Sequence, residues 1–195
     1  PNHGDFACTD CHLGDPEGET RADAHVGLVT DPTRDRPEEA CQFYEEALAA
    51  ADEVGDHVFT LYYGGEWAAA ELFLGRREKA QQCLRSALRS ALGTQSGRMP
   101  IKVLPPAALW LAAEGQAERA VEVYALALRY PHIANSRWVQ DVFGPPIAEA
   151  AGSLSPEVAQ AAQERGQARD LQATVQELLA ELVTNDLLSL TPLDT

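Results

Sequence analysis

A short segment near the start of the chain has residue types and a spacing that suit metal-centred chemistry. Cys8 and Cys11 stand three residues apart, and His12 follows the second cysteine directly. In this spacing the two cysteines can form thioether bonds to the vinyl groups of a haem, while the histidine reaches the iron from the proximal side. The segment therefore predicts one covalently attached haem c per chain, with Cys8 and Cys11 as the attachment points and His12 as the proximal iron ligand.

Other sites also use paired cysteines. A structural zinc site needs four ligands, which Cys8, Cys11, His12 and one further histidine could supply. Adjacent Cys11 and His12 would be awkward ligands on one small tetrahedral ion, and no second ligand pair follows. A redox dithiol would begin a helix in a βαβ pattern, which the chain lacks, and a plain disulfide is the last alternative. The motif favours haem.

Composition limits the classes of partner. The chain has 195 residues, 45% of them apolar, which is enough for a packed core. Its net charge of −15 argues against a nucleic acid or an anionic membrane as the partner, because both would be repelled. No run of eighteen apolar residues occurs, so we expect no membrane span. Cationic partners and self-association through apolar surface remain open.

The first residue, Pro1, is not methionine, which is typical of a chain whose signal peptide has been removed. Covalent haem attachment is normally completed outside the cytoplasm, so the two observations agree. We expect an exported protein in the periplasm, at the cell surface or outside the cell.

The character of the sequence changes near residue 36. Residues 1–35 are rich in Gly, Asp, Pro and Thr and lack apolar periodicity, so they cannot build a core of their own. A haem held by two thioethers could organise such a segment. We therefore predict two parts, a haem-binding segment over 1–35 and a helical domain over 36–195.

From residue 36 the sequence repeats at a spacing of 40. Tyr44, Leu84 and Tyr124 fall in register on the apolar stripe of a helix, and Gly75 and Gly115 each close the preceding unit as helix C-caps. Three units of two helices are predicted, at about 37–54 with 57–74, 76–92 with 103–114, and 116–130 with 135–151.

The repeats over 36 to about 154 resemble tetratricopeptide repeats with lengthened turns between the helices. The resemblance implies an all-α, helical-repeat solenoid that carries a loop-rich N-terminal haem-binding arm. Solenoids need polar caps at their ends, so we expect one final helix, from about 156 to 184, to cap the stack.

The N-terminal segment resembles one repeat of the multihaem c-type cytochromes. Phe6-Ala7-Cys8-Thr9-Asp10-Cys11-His12 is followed by a Gly/Asp/Pro turn and by Ala24-His25-Val26-Gly27-Leu28. The resemblance implies that His25 is the distal iron ligand, to its own haem or to a neighbouring one. Where that family carries a second attachment motif, this chain has Cys41-Gln42-Phe43-Tyr44-Glu45, so one haem per chain is expected.

The distal ligand has alternatives. His25 lies thirteen residues beyond His12 on a Gly-containing stretch that can fold over the opposite haem face. His3 stands on an arm that could reach the haem of an adjacent subunit, and Met99 lies in a loop similar to the methionine loop of small cytochromes c. Two histidines would favour low-potential electron transfer, whereas an open position would favour gas binding or peroxidase chemistry.

Other residues with reactive side chains have simpler explanations. Cys41 and Cys83 are expected on neighbouring first helices, as a disulfide or as free buried thiols. His57 and His132 are expected at the surface, at a helix start and in a turn. Core packing is predicted for one tryptophan in the second helix of each unit, namely Trp67, Trp110 and Trp138.

No hydrolase, zinc-protease or nucleotide-binding motif is present, so we expect an electron-transfer protein and not an enzyme. One haem on a short arm can relay electrons only when another haem comes near. We therefore expect a homo-oligomer, such as a helical filament assembled through the repeats, together with redox partner proteins. The alternative is a haem-based redox or gas sensor that docks partners on the repeats.

Overall fold

The computed structural model describes residues 36–53, 57–93 and 99–189. The side chains of 51–53, 57–59, 61–62, 99 and 184–189 lie outside the description. Every regular element in the described ranges is helical, which confirms the all-α prediction. The α-helices are α1 (Pro37–Glu53), α2 (His57–Phe73), α3 (Arg77–Gly93), α4 (Leu104–Ala113), α5 (Ala117–Leu128), α6 (Pro131–Ala134), α7 (Arg137–Gly152), α8 (Pro156–Ala168) and α9 (Leu171–Ser189), and a 3₁₀ helix (Met99–Val103) precedes α4.

The spacing of 40 is visible in the helix starts. Helices α1, α3 and α5 begin at Pro37, Arg77 and Ala117. Gly75 and Gly115, which end the units before α3 and α5, have φ of 72° and 74°, a left-handed conformation that favours glycine. The predicted glycine C-caps are therefore confirmed.

Both glycines belong to the same hydrogen-bonded turn. The Gly75 N–H donates to the Leu72 carbonyl at 2.9 Å, and the Arg76 N–H donates to the Glu71 carbonyl at 2.8 Å. The equivalent bonds after α4 are 3.0 and 2.9 Å long. This pair of bonds is the Schellman motif, which satisfies the last carbonyls of a helix and reverses the chain.

Two separate groups of apolar side chains form the interior. The main core joins α2 through α9, and its largest fully buried members include Phe143, Leu84 and Leu104. A smaller core holds α1 on α2 and contains only Ala40, Cys41, Tyr44 and Ala70 as buried members. Among the described side chains, α1 is therefore held by fewer buried members than the main core contains, although Tyr44 is the largest fully buried side chain of all.

The predicted single helix over 156–184 is wrong, because the chain forms two helices there. The break falls at Arg169, whose backbone is extended with ψ of 150°. Asp170 then starts α9, since its side chain accepts a hydrogen bond from the Ala173 N–H at 2.8 Å. Helix α8 packs on α5, and α9 packs on α3 and the 3₁₀ helix. The last helix thus lies along an earlier unit of the chain.

A glycine allows α8 to lie very close to α5. A Cβ atom built on Gly166 would stand 2.2 Å from the Glu122 carbonyl oxygen and 2.8 Å from the Ala125 Cβ. Side chains larger than hydrogen do not fit such a gap. Gly166 therefore fixes the distance between the C-terminal helix pair and α5.

Of the helices in the described ranges, none combines the length and the apolar character needed to cross a lipid bilayer.

Candidate functional site

The haem-site residues predicted from sequence all belong to residues 1–35. Cys8, Cys11, His12, His25 and the alternative ligand His3 therefore lie outside the described residues. The helical domain begins at Pro37, immediately after this segment. The haem assignment stays a prediction.

The other histidines and the methionine are only partly described. His57 begins α2 and Met99 begins the 3₁₀ helix, but their side chains lie outside the description. His132 lies in the short helix α6 and is exposed, as predicted. Within the described ranges, no three His, Cys, Asp or Glu side chains are grouped as metal ligands would be.

The two cysteines of the helical domain are free, buried thiols in this structure. Burial, together with the nearby charge of Glu71, raises the pKa of Cys41 to about 12. Burial likewise raises the pKa of Cys83 to about 12. Thiols protonated this strongly are poor nucleophiles at neutral pH, because the thiolate is the reactive form.

A buried carboxylate lies beside the Cys41 thiol. Glu71 in α2 accepts a hydrogen bond from Cys41, one from the Trp67 indole N–H at 2.9 Å and one from Arg76 at 3.4 Å. The Lys79 ammonium lies over the Trp67 ring, 4.6 Å from its centre. These contacts compensate the buried charge and tie the first two units together.

A second buried carboxyl group lies one turn earlier in α2. Glu66 is only 8% exposed, and its Oε2 accepts a hydrogen bond of 3.2 Å from the Tyr44 hydroxyl of α1. Burial raises the pKa of Glu66 to about 7, against opposing effects of the Lys102 charge and of the Tyr44 hydrogen bond. This carboxyl group can therefore gain or lose a proton near neutral pH.

Glu66 borders a cavity of about 40 Å³, large enough for a water molecule. Lys102, His132 and Ser136 also line this cavity, together with Trp138. The Trp138 Nε1 atom is buried and finds no acceptor among the described residues. The cavity is thus lined by the Glu66 carboxyl group, by the Lys102 and His132 side chains and by the Trp138 indole, where α2, α7 and the 3₁₀ helix meet.

A third buried carboxylate holds the C-terminal helices in place. Glu122 in α5 accepts hydrogen bonds from Arg119 at 2.8 Å, Arg169 at 2.7 Å and Arg165 at 3.1 Å. Burial alone would raise the pKa of Glu122, but the three arginines together hold it below its ordinary value. Arg165 also pairs with Glu118.

The same arginines reach α9. Arg119 contacts Glu177 at 2.9 Å and Glu181 at 3.2 Å, and Arg169 pairs with Glu177. Such a network is a structural device, since each of its three arginines pairs with carboxylates of the domain itself.

An open groove of about 930 Å³ lies between α7 and α8, with α5 as its floor. Glu164 is the one charged residue among those that line it. The others are apolar or carry amide or hydroxyl groups, and include Val121, Leu128, Ile147, Pro156, Gln160 and Gln163. On a chain with a net charge of −15, this groove is a patch of low charge.

The sequence analysis missed the three buried carboxylates. Glu66 and Glu71 stand inside the run His57–Phe73, which is otherwise apolar apart from its first residues, and such isolated charges signal a buried polar contact. Glu122 gives no comparable signal, because it follows Glu118 and Arg119 at a spacing of four and three residues and so lies on the charged face of its helix. Its partners Arg165 and Arg169 are more than forty residues away in sequence.

The tryptophans follow the prediction. Trp110 is buried in α4, while Trp67 and Trp138 are partly buried and pack against the main core from α2 and α7.

Comparison of this chain with protein-family models, with curated proteins and with solved structures found no match in any of the three.

Proposed function

We propose that this protein is an exported, monohaem c-type cytochrome that transfers electrons, with its haem on residues 1–35 and its helical domain as the assembly part. The observation that carries the proposal is the segment Cys8-Thr9-Asp10-Cys11-His12. Two thiols and a histidine in this order are what covalent haem attachment requires. The segment precedes an all-α domain whose described residues offer no other grouped metal ligands.

In this proposal each residue of the segment has a distinct role. Cys8 and Cys11 would hold the haem covalently, and His12 would be one ligand of the iron. His25 would be the other ligand, with His3 of the same or a neighbouring copy as the alternative. When bound, the haem would supply one-electron exchange with a redox partner or a neighbouring haem.

Assembly is the second part of the proposal. Helix starts spaced by 40 residues and matching glycine turns are consistent with a tetratricopeptide-like solenoid, and such folds present extended surfaces to other proteins. Copies of a chain with net charge −15 repel one another, so contact is least costly where charge is lowest. The groove between α7 and α8 is such a surface, and we propose a second copy as its occupant.

Optical spectroscopy tests the haem assignment. The purified holoprotein should show a Soret band that stays with the protein after acid-acetone extraction, and a low-spin, six-coordinate spectrum. The variant Cys8→Ala with Cys11→Ala should lose the band, whereas the matched variant Cys41→Ala with Cys83→Ala should keep it. A protein without a Soret band would overturn the proposal, and binding of carbon monoxide to the reduced form would instead favour a sensor.

Light scattering and negative-stain microscopy test the assembly. Oligomers or filaments are expected, and they should weaken when Ala148 in the groove is replaced by Glu. The control is Ala173→Glu, an exposed position on α9 outside the groove. A protein that is monomeric at all concentrations would contradict this part of the proposal.

A further inference from the structure

The first helix is joined to the rest of the domain through the small core. Among its described side chains, Ala40, Cys41 and Tyr44 are buried, and they meet Ala70 of α2. Phe43, Tyr63, Trp67 and Leu74 pack against this core and are partly buried. Because the small core has fewer buried members than the main core, less hydrophobic free energy opposes the undocking of α1. Tyr44 is the large member of this core, and its ring stacks on Tyr63 with a centre-to-centre distance of 6.4 Å.

The polar end of the same tyrosine meets a buried acid. Tyr44 is only 1% exposed, and its hydroxyl donates a hydrogen bond of 3.2 Å to Glu66. This contact is a polar link between α1 and the body of the domain. On its far side Glu66 faces the 40 Å³ cavity. Release of α1 would remove the side chain that covers Glu66 and would admit water to its carboxyl group.

We propose that Glu66 is a proton-binding site at the base of α1, and that loss of its proton loosens the docking of this helix on the rest of the domain. The reason is solvation. Burial under Tyr44 raises the free energy of an ionised carboxylate, which water would stabilise once α1 moves away. The neutral acid has no such desolvation cost in the buried position. Proton release and helix release are therefore linked.

Few other titratable groups face Glu66. Tyr44 from α1 donates a hydrogen bond to it, Lys102 from the 3₁₀ helix places a positive charge near it, and His132 from α6 lines the same cavity. Helices α4 and α7 contribute only prolines and uncharged side chains to the cavity. Lys102 and the hydrogen bond favour the charged form, but burial outweighs both and leaves the pKa near 7.

The effect of Glu66 ionisation on the undocking of α1 has an upper bound. If undocking restores the ordinary pKa of 4.5 from about 7, ionisation can raise the opening equilibrium of α1 by at most about 300-fold. By these two values the rise lies between pH 4.5 and about 7. Because α1 follows residues 1–35 in the sequence, its release would also free the point at which the domain joins that segment, and the relevance of this to electron transfer rests on the proposed haem function. The proton site itself does not depend on that function.

Hydrogen exchange of the full-length protein tests the proposal. Backbone amides of α1 are followed between pH 5.5 and 8.5, and each rate is corrected for the intrinsic pH dependence of exchange. The opening equilibrium of α1 should rise at least tenfold over this range, while amides of α5 in the main core should show no such rise. The variant Glu66→Gln should give a flat profile, and Glu46→Gln, on the exposed face of α1, should retain the wild-type rise.

A second variant keeps the test informative if Glu66→Gln folds poorly. Tyr44→Phe removes a hydrogen bond that lowers the pKa of Glu66, so the midpoint of the rise should move to higher pH. A flat wild-type profile, an unchanged rise in Glu66→Gln, or an unmoved midpoint in Tyr44→Phe would each overturn the proposal. The readout is the exchange of α1 amides and needs no haem signal, so its failure is distinguishable from failure of the test of the haem segment.

Discussion

The Tyr44 hydroxyl donates a hydrogen bond of 3.2 Å to the Glu66 carboxyl group, which stands 22 residues later in the sequence and is buried beneath the first helix. This bond joins α1, the helix that follows the proposed haem-binding segment, to the body of the domain. Burial raises the pKa of Glu66, the acceptor of this bond, to about 7.

Glu66 makes the stability of the domain depend on pH. Its pKa is higher in the folded protein than the ordinary 4.5, so the folded state binds the proton more tightly than the unfolded state. Its contribution is fully present below pH 4.5 and is lost as pH rises through 7, an effect of about 3 kcal/mol. Urea unfolding at pH 5 and pH 8 should show that Glu66→Gln is less pH-dependent than wild type by about this amount. Equal pH dependence in the two proteins would contradict it.

Gly166 should tolerate no side chain. Gly166→Ala places a Cβ 2.2 Å from the Glu122 carbonyl oxygen, so α8 must move away from α5. We expect a loss of about 2 kcal/mol or more in the free energy of unfolding, measured by urea denaturation. The control is Gly152→Ala at the end of α7, where a Cβ meets nothing within 4 Å, and it should leave stability unchanged or raise it slightly. Equal effects of the two substitutions would refute the close contact.

Glu122 should hold the C-terminal helices through its charge. Glu122→Gln leaves Arg119, Arg165 and Arg169 without their shared partner, and the loss should be about 3 kcal/mol. The exposed pair Arg137 and Asp141 is the control, since Asp141→Asn should cost no more than about 0.5 kcal/mol. Because the pKa of Glu122 is lowered, its contribution is present at neutral pH and is lost as pH falls below 4.5 toward the folded-state value. A Gln variant as stable as wild type at pH 7 would contradict the role.

Cys41 and Cys83 should be unreactive in the folded protein. With pKa values of about 12 instead of 9.0, the thiolate fraction at pH 8 is about a thousandfold below that of an ordinary thiol. Iodoacetamide should therefore leave both peptides unlabelled in native buffer and label both in guanidinium, as judged by peptide mass spectrometry. Labelling in guanidinium only after a reductant is added would show a disulfide and contradict the free thiols.

Much of the helical domain could be predicted because its signals are local. The stripe through Tyr44, Leu84 and Tyr124 gave the helix faces, and Gly75 and Gly115 marked the turns, whose left-handed backbone strongly favours glycine. The break at Arg169 and Asp170 was missed because neither a proline nor a glycine stands at these two positions to mark it. The close approach of Gly166 to Glu122 joins distant parts of the sequence, so no local pattern indicates it.

The candidate sites also differ in how local their signals are. The haem motif is a short, continuous sequence pattern, and it stays a prediction because residues 1–35 lie outside the described residues. At the proposed proton site, the isolated charge of Glu66 in an apolar helix signals a buried polar contact, but its partners Tyr44 and Lys102 come from two other helical elements, which no local pattern indicates.

Intact-mass spectrometry of the holoprotein after acid-acetone extraction tests whether haem is covalently bound to this chain. We expect a chain heavier by one haem, with the added mass located on the peptide that contains Cys8 and Cys11. The variant Cys8→Ala with Cys11→Ala should have the mass of the polypeptide alone. The protein is produced together with a haem-attachment system that modifies a known cytochrome c in parallel. A wild-type chain without added mass under these conditions would contradict covalent haem attachment.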